Sequence, residues 1–124
     1  MVKKNKFTVG VIGATGQGDY GHNIDTAFYN LENAEIIAVA DNDTIGLKKA
    51  GKRLGVNSLY LSYELMLKET KPDIAVVCPS WVSERVSMVE AAAKNGCHIF
   101  CEKPLAGSVK EADNIYNCCI NYNV

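Results

Sequence analysis

The sequence predicts an α/β fold in which one doubly wound parallel sheet is covered by helices on both faces. Three observations lead to this prediction. Short apolar runs alternate with segments of helical period, this alternation occurs five times, and the runs contain no polar alternation. Strands that are apolar throughout are buried on both faces, which is typical of parallel sheets. Right-handed crossovers then give 3-2-1-4-5 as the expected strand order.

Each predicted strand is a short apolar run that is followed by apolar residues at helical spacing. The runs fill the chain, so we expect a single domain over residues 1–124. The strands are Phe7–Ile12, Glu35–Ala40, Leu59–Leu61, Asp73–Cys78 and Cys97–Cys101. The helical stripes that follow them are, in order, Ile24, Phe28 and Leu31; Ile45, Leu47, Ala50 and Leu54; Leu65, Met66 and Leu67; Val82, Val86, Val89 and Ala93; and Val109, Ala112, Ile115 and Cys119.

Polar residues and glycines mark where several of these helices begin and end. Ser62 and Ser108 are predicted N-caps, and Glu111 follows Ser108 at the spacing of a capping box. Gly55 and Asn95–Gly96 are predicted to end two of the helices.

The composition is that of an ordinary globular domain, with 48% hydrophobic and 22% charged residues in 124. The formal net charge of −1 gives no electrostatic basis for binding nucleic acid. No apolar run approaches the roughly 20 residues that span a bilayer, so no membrane partner is expected. The odd count of five cysteines, mostly within apolar segments, indicates reduced thiols and predicts a cytoplasmic protein.

One short cluster, Cys97, His98 and Cys101, contains the ligand types that zinc prefers. A strand sends alternate side chains to opposite faces, so three converging ligands are hard to arrange there. A zinc site is therefore the disfavoured alternative, and we expect no metal.

A glycine-rich segment follows the first strand, where a dinucleotide-binding Rossmann domain turns into its first helix. Two frames of the G-x-G-x-x-G pattern are open. Gly16, Gly18 and Gly21 match it literally, whereas a frame that begins at Gly13 places Thr15 second and Gly18 third. In either frame, glycines allow the backbone to approach a pyrophosphate, and the amino end of the next helix would face the phosphates. We therefore predict a dinucleotide-binding domain rather than a flexible surface loop.

Asp41 follows the second strand, 23 residues after Gly18 (position 18 to position 41). A Rossmann domain places there the acid that accepts hydrogen bonds from the adenosine ribose. A carboxylate would repel the 2′-phosphate of NADP, and residues 42–44 include no Arg or Lys. The sequence therefore favours NAD over NADP. The alternative is that Asp41 caps a turn or helix, although Asp43 is also placed to cap the helix.

The carboxyl ends of the fourth and fifth strands should border the nicotinamide half of the cofactor. The fourth strand is followed by Pro79 and Trp81, and the fifth by Glu102, Lys103 and Pro104. Among the aromatic residues, Trp81 is the best placed to stack on a cofactor ring. The Lys103–Pro104 bond is a candidate for the cis form, which proline permits in a tight turn.

Together, the glycine-rich turn, Asp41, Pro79 and the segment Glu102–Leu105 resemble the glucose-fructose oxidoreductase/inositol dehydrogenase family (Gfo/Idh/MocA). The resemblance covers essentially the whole chain. It implies NAD(P)-dependent hydride transfer on sugars, inositols and related polyols. It also implies that Lys103 approaches the substrate and the nicotinamide as the catalytic residue, where a cation stabilises a developing alkoxide. Glu102 would lie beside the nicotinamide ribose or orient Lys103.

The chain departs from that family's pattern at three points. Cys78 stands where many members have Thr before the proline, with no His in residues 80–85. The glycine-rich turn is one residue longer than the commonest version. The family's second domain, which usually supplies an Asp-x-x-x-His pair for proton transfer, has no counterpart here. We therefore expect an excised or truncated domain that binds NAD weakly and has little or no turnover alone, and a homo-oligomer for the full-length protein.

The sequence thus predicts the NAD(H)-binding domain of a sugar, inositol or polyol oxidoreductase. Two other functions remain open. A non-enzymatic NAD/NADH sensor would share the turn but would not need the pair Glu102 and Lys103. A CoA-binding domain has a similar turn, but Asp41 argues against the 3′-phosphate of CoA. His22 is expected to pack or cap at the start of the first helix, and His98 to be structural.

Overall fold

The structure, a computed structural model, describes residues 6–124 and confirms the predicted α/β architecture. Its five strands pair in parallel in the order β3-β2-β1-β4-β5. The sheet is therefore doubly wound, with the strand order reversing between β1 and β4. The strands are β1 (Phe7–Ile12), β2 (Ala34–Ala40), β3 (Leu59–Tyr60), β4 (Ile74–Val77) and β5 (His98–Cys101).

Four α-helices follow the later strands, and their ends confirm the predicted caps. The hydroxyls of Ser62 and Ser108 accept backbone N–H bonds of 3.2 Å from the third residue beyond each cap. Gly55 ends its helix in the left-handed region at φ 68°. The Glu111 carboxylate accepts the N–H of Gly107 rather than that of Ser108, so the capping box is incomplete. The helices are α1 (Thr44–Leu54), α2 (Tyr63–Thr70), α3 (Arg85–Lys94) and α4 (Val109–Tyr122).

The helix predicted after β1 is not formed, and that prediction was wrong. The chain makes only one 3₁₀ turn, Ile24–Thr26. Positive φ angles at Asn23 (61°) and Asn30 (63°) interrupt the helical backbone on both sides, because an α-helix requires negative φ throughout. Phe28 still packs against the sheet, whereas Leu31 is 45% exposed. The predicted helix dipole that would face the phosphates is therefore missing from this turn.

Two apolar cores lie on opposite faces of the sheet, as the uninterrupted apolar strands predict. At the edge, however, β5 is less covered than predicted, because Phe100 is 44% exposed. One core joins the sheet to α1 and to the segment after β1, and includes Val9, Val11, Val39, Leu47 and Leu54. The other joins it to α2 and α3, and includes Ile12, Val77, Met66, Leu67 and Met88. Within residues 6–124, no helix has the length and apolar character needed to cross a bilayer.

Neighbouring residues of α2 test which of its faces is buried. Met66 is fully buried, whereas Leu65 is 47% exposed. We expect Met66→Ala to lower the free energy of unfolding by about 3 kcal/mol, because it leaves a cavity in the core. Leu65→Ala is the matched control and should cost less than about 1 kcal/mol. Urea titration followed by circular dichroism measures both. Equal losses would contradict this orientation of α2.

Candidate functional site

The glycine-rich turn lies across the carboxyl ends of β4 and β5. Gly18 has φ 93°, and a Cβ added to it would lie 2.5 Å from the backbone nitrogen of Trp81. Gly21 has φ 59°, and a Cβ there would overlap the carboxylate of Glu102. Gly16 also has positive φ, but nothing lies within 4 Å of an added Cβ. Packing therefore requires glycine at two of these positions, and Gly16 forms an open part of the turn.

The turn is anchored to the end of β2 by the carboxylate of Asp41, which is 2% exposed. Its Oδ2 atom accepts the hydroxyl of Thr15 at 2.6 Å and that of Tyr20 at 2.9 Å. Its Oδ1 atom accepts the backbone N–H groups of Thr15 at 3.1 Å and Asp43 at 3.0 Å. These four donors match the four acceptor positions of a carboxylate. Separately, the Asp43 side chain caps α1 by accepting the N–H of Gly46, as expected.

Tyr20 packs its ring against Gly13 in the glycine-rich turn, a contact for which the sequence gave no signal. Its ring lies where a Cβ on Gly13 would be, so only glycine fits there. The guanidinium of Arg53 lies 4.8 Å from the ring centroid and is paired at 2.7 Å with the buried carboxylate of Asp25. Burial, together with the charge of Asp41, raises the pKa of Tyr20 above its ordinary value. Tyr20 is therefore a neutral donor at physiological pH.

A cavity of about 310 Å³ lies beside Asp41 at the carboxyl ends of β1, β2 and β3. Gly13 and Ala14 of the turn line the cavity, together with the polar residues Asn42 and Ser62. The volume is at the lower end of the range for ligand pockets, which suits part of a dinucleotide rather than all of it. The cavity thus lies between the glycine-rich turn and the acid after β2, where Rossmann domains bind adenosine.

Glu102 is the corresponding anchor at the end of β5, with 3% exposure. Its carboxylate accepts the backbone N–H of His22 at 2.6 Å and that of Lys103 at 3.0 Å. The Nδ1 atom of His22 lies 3.2 Å from Oε1. The N–H of His22, then that of Lys103 and the His22 ring, lower the pKa of Glu102 against the effect of burial. The carboxylate thus joins the turn after β1 to the loop after β5.

His22 and Lys103 both donate backbone N–H groups to Glu102, and both residues are exposed. The expectation that His22 packs or caps at a helix start was wrong: no α-helix begins there, and its side chain is 65% exposed. Lys103 is exposed at the same edge of the sheet, and the Lys103–Pro104 bond is cis, as anticipated.

Sequence reasoning missed Arg85, which fixes the loops after β4 and β5 to each other. Its side chain is 1% exposed. Its guanidinium donates to the carbonyls of Pro79 at 2.6 Å, and of Glu102 and Pro104 at 2.5 Å each. One signal was present: Arg85 precedes the buried Met88 by three residues, and therefore shares its helix face toward the sheet.

The remaining predicted residues lie in two places. Pro79 is buried at the end of β4, and Trp81 is 57% exposed beside the turn. In the zinc alternative, Cys97 is buried while His98 is exposed, as alternation along a strand requires. Among residues 6–124, no three His, Cys, Asp or Glu side chains are grouped so as to hold a metal ion.

Fold and site together define an α/β dinucleotide-binding domain. The chain belongs to the Gfo/Idh/MocA oxidoreductase family, whose profile, described as an oxidoreductase family with an NAD-binding Rossmann fold, matches residues 7–124. It is an NAD-binding domain related to sugar and inositol dehydrogenases.

Three curated relatives illustrate this relationship. The chain is 32% identical over 104 residues to D-apiose dehydrogenase of Paraburkholderia graminis, a match that covers 84% of this chain and 28% of that protein. It is 34% identical over 85 residues to D-xylose 1-dehydrogenase (NADP(+)) 2 of Haloferax volcanii, covering 68% and 26%. It is 28% identical over 104 residues to myo-inositol 2-dehydrogenase of Thermotoga maritima, covering 84% and 31%. The chain thus spans less than a third of the length of these relatives.

Solved structures establish the fold independently. An oxidoreductase from Agrobacterium radiobacter in complex with NAD+, L-tartaric acid and magnesium superposes with a TM-score of 0.84 at 24% identity, over 96% of this chain and 34% of that one. The apo scyllo-inositol dehydrogenase of Lactobacillus casei gives 0.80 at 17% identity, over 98% and 35%.

The lowered pKa of Glu102 predicts how its contribution to stability depends on pH. A depressed folded-state pKa means that this stabilisation is present above the unfolded value, about 4.3, and is lost as pH falls through the folded value. We expect Glu102→Gln to lower the melting temperature near pH 7, by an amount that shrinks below about pH 4. Thermal melts across this range measure the effect, with Glu90→Gln on the exposed side of α3 as control. A deficit that does not change with pH would contradict this role of Glu102.

Loss of the Arg85 guanidinium should destabilise the chain. Arg85→Met replaces the guanidinium with an apolar side chain. The carbonyls of Pro79, Glu102 and Pro104 are then left without their donor. We expect a loss of about 3 kcal/mol in the free energy of unfolding. Lys94→Met, at an exposed position of the same helix, is the control and should change it by less than about 0.5 kcal/mol. Chemical denaturation gives both values. A small effect of Arg85→Met would show that the two loops hold without it.

Proposed function

We propose that this chain is the cofactor domain of an NAD-dependent oxidoreductase that acts on a sugar, an inositol or a related polyol. The observation that carries the proposal is the arrangement of two groups on either side of the point where the strand order reverses. Asp41 and its cavity lie on the β2 side, and Glu102 with Lys103 lies on the β5 side. In open α/β sheets, ligands bind across this point, at the carboxyl ends of the strands.

In this proposal, each of the two sides binds one half of the cofactor. Asp41 accepts the hydroxyls of the adenosine ribose, and the backbone of the turn approaches the pyrophosphate. The loops after β4 and β5 border the nicotinamide. The turn residues in this proposal are Gly13, Thr15, Gly16 and Gly18, and the loop residues are Pro79, Trp81, Glu102 and Lys103.

Lys103 is the catalytic residue in this proposal. Bound NAD supplies the hydride acceptor for oxidation of a substrate carbon bearing a hydroxyl. Lys103 is exposed and directly follows the buried Glu102. The Glu102 carboxylate accepts the backbone N–H of Lys103, which fixes the backbone from which the lysine extends. A cation held there stabilises negative charge that develops on the substrate oxygen. The rest of the substrate pocket and a proton acceptor belong, in this proposal, to parts of the full-length protein outside this chain.

The choice of NAD over NADP rests on charge. Asp41 and Asp43 both lie at the ribose end, and residues 42–44 supply no cation to pair with a 2′-phosphate. The proposed compartment is the cytoplasm, because the five cysteines are all free thiols. We also propose that the full-length protein is a homo-oligomer.

Binding to the 124-residue chain tests the cofactor assignment. Trp81, the only tryptophan, is proposed to lie beside the nicotinamide, so its fluorescence should respond to NADH. We expect weak NADH binding, with NADPH and CoA weaker by about tenfold or more because of Asp41, a difference of about 1.4 kcal/mol. Calorimetry provides a second readout that is independent of Trp81, and turnover by the chain alone should be absent or very low. Tight CoA binding without any response to NADH would overturn the proposal.

A further inference from the structure

We propose that Tyr20 is a positioning residue that weakens cofactor binding, because its hydroxyl occupies an acceptor position on Asp41 that the adenosine ribose requires. The inference rests on the proposed NAD-binding function. It adds that the ribose acceptor is already bound by two hydroxyl donors from the chain itself, and that the two hydroxyls of the ribose must replace both of them.

The carboxylate of Asp41 already accepts as many hydrogen bonds as it has acceptor positions. Two hydroxyls and two backbone N–H groups already fill its four acceptor positions, at distances between 2.6 and 3.1 Å. The carboxylate borders the cavity and yet is only 2% exposed. Additional hydroxyls from a ribose therefore find no acceptor position until an internal donor leaves.

The hydroxyl donors, and not the backbone N–H groups, are the ones that a ribose can replace. The two N–H groups belong to the backbone of Thr15 and Asp43, which also fixes the turn and the start of α1. The two hydroxyls, from Thr15 and Tyr20, are both bound to Oδ2, and chemically they are what a ribose offers. Ribose binding at Oδ2 thus replaces hydroxyl donors of the chain with hydroxyl donors of the ligand.

Displacing the Tyr20 hydroxyl from Asp41 is unfavourable in free energy, because the ring is confined. Its ring is held against Gly13 and below the guanidinium of Arg53, and only 9% of the residue is exposed. A displaced hydroxyl therefore loses its acceptor without gaining full access to water, which is unfavourable for a buried donor. Thr15, which is only partly buried, can rotate its hydroxyl toward solvent at lower cost. Because the two ribose hydroxyls replace both chain hydroxyls, displacement of Tyr20 makes up the larger part of the cost, and Tyr20 is the residue that lowers the affinity.

The experiment compares the wild-type chain with Tyr20→Phe, using NADH and an NADH analogue whose adenosine ribose lacks both hydroxyls. We expect Tyr20→Phe to bind NADH about fivefold more tightly, because the competing hydroxyl is gone. Its affinity for the analogue should be unchanged. Tyr116→Phe, at a 66% exposed position on α4, is the control and should change neither affinity. A purely structural role for Tyr20 would weaken both ligands together.

The outcomes separate this inference from the proposed function. If the wild-type chain binds no NADH, the proposed function fails. If it binds NADH and Tyr20→Phe binds it equally or less tightly, this inference fails alone. If Tyr20→Phe does not fold, the wild-type chain labelled with ¹³C-tyrosine gives the answer: NADH must shift the Tyr20 Cζ resonance more than that of Tyr116, and the analogue must shift it less. No such difference would overturn the inference.

Discussion

Two buried carboxylates hold the turn after β1 over the end of the sheet. Asp41 accepts donors from Thr15 and Tyr20, and Glu102 accepts the backbone N–H of His22. Eight of the ten backbone N–H groups in residues 13–22 donate to acceptors within the chain. Without a following α-helix, these N–H groups find their acceptors in backbone carbonyls of the turn and the neighbouring strand, and in the side chains of Asp19, Asp41 and Glu102. The shape of the candidate site depends on these hydrogen bonds.

The loops after β4 and β5 are organised by a buried cation as well as by the carboxylate of Glu102. Arg85 donates to backbone carbonyls on both loops that leave β4 and β5, and so fixes the spacing between Pro79 and Glu102. Hydrogen bonds from a charged donor are stronger than those between neutral groups, and burial strengthens them further. An apolar residue at this position would leave those carbonyls unpaired. The loop that carries Lys103 is thus fixed from inside the protein, while the lysine itself remains exposed.

Periodicity and local turn chemistry made most of the fold predictable. The caps at Ser62, Ser108 and Gly55 followed from rules that involve neighbouring residues only. The strand order followed from the general handedness of crossover connections. The failures have a different origin. The apolar spacing of Ile24, Phe28 and Leu31 is helical, but the left-handed residues around it, which the sequence does not reveal, stop a helix from forming. The contacts of Tyr20 with Asp41, and of Arg85 with Glu102 and Pro104, join residues that are 17 to 21 positions apart, a separation over which local patterns carry no information.

Because no helix forms after β1, residues 21–33 are expected to separate from the domain more easily than its core. On the opposite face of the sheet two regular helices, α2 and α3, pack against the strands. Residues 21–33 cover the part of their face that lies beside α1, with one 3₁₀ turn, an ion pair of Asp25 with Arg53, and an edge-to-face contact of Phe28 with Phe100. Segments with so little regular hydrogen bonding separate from a domain at lower free energy than its core. This segment should therefore form its own cooperative unit, whose excursions uncover the apolar cluster that includes Tyr20 while the central strands stay intact.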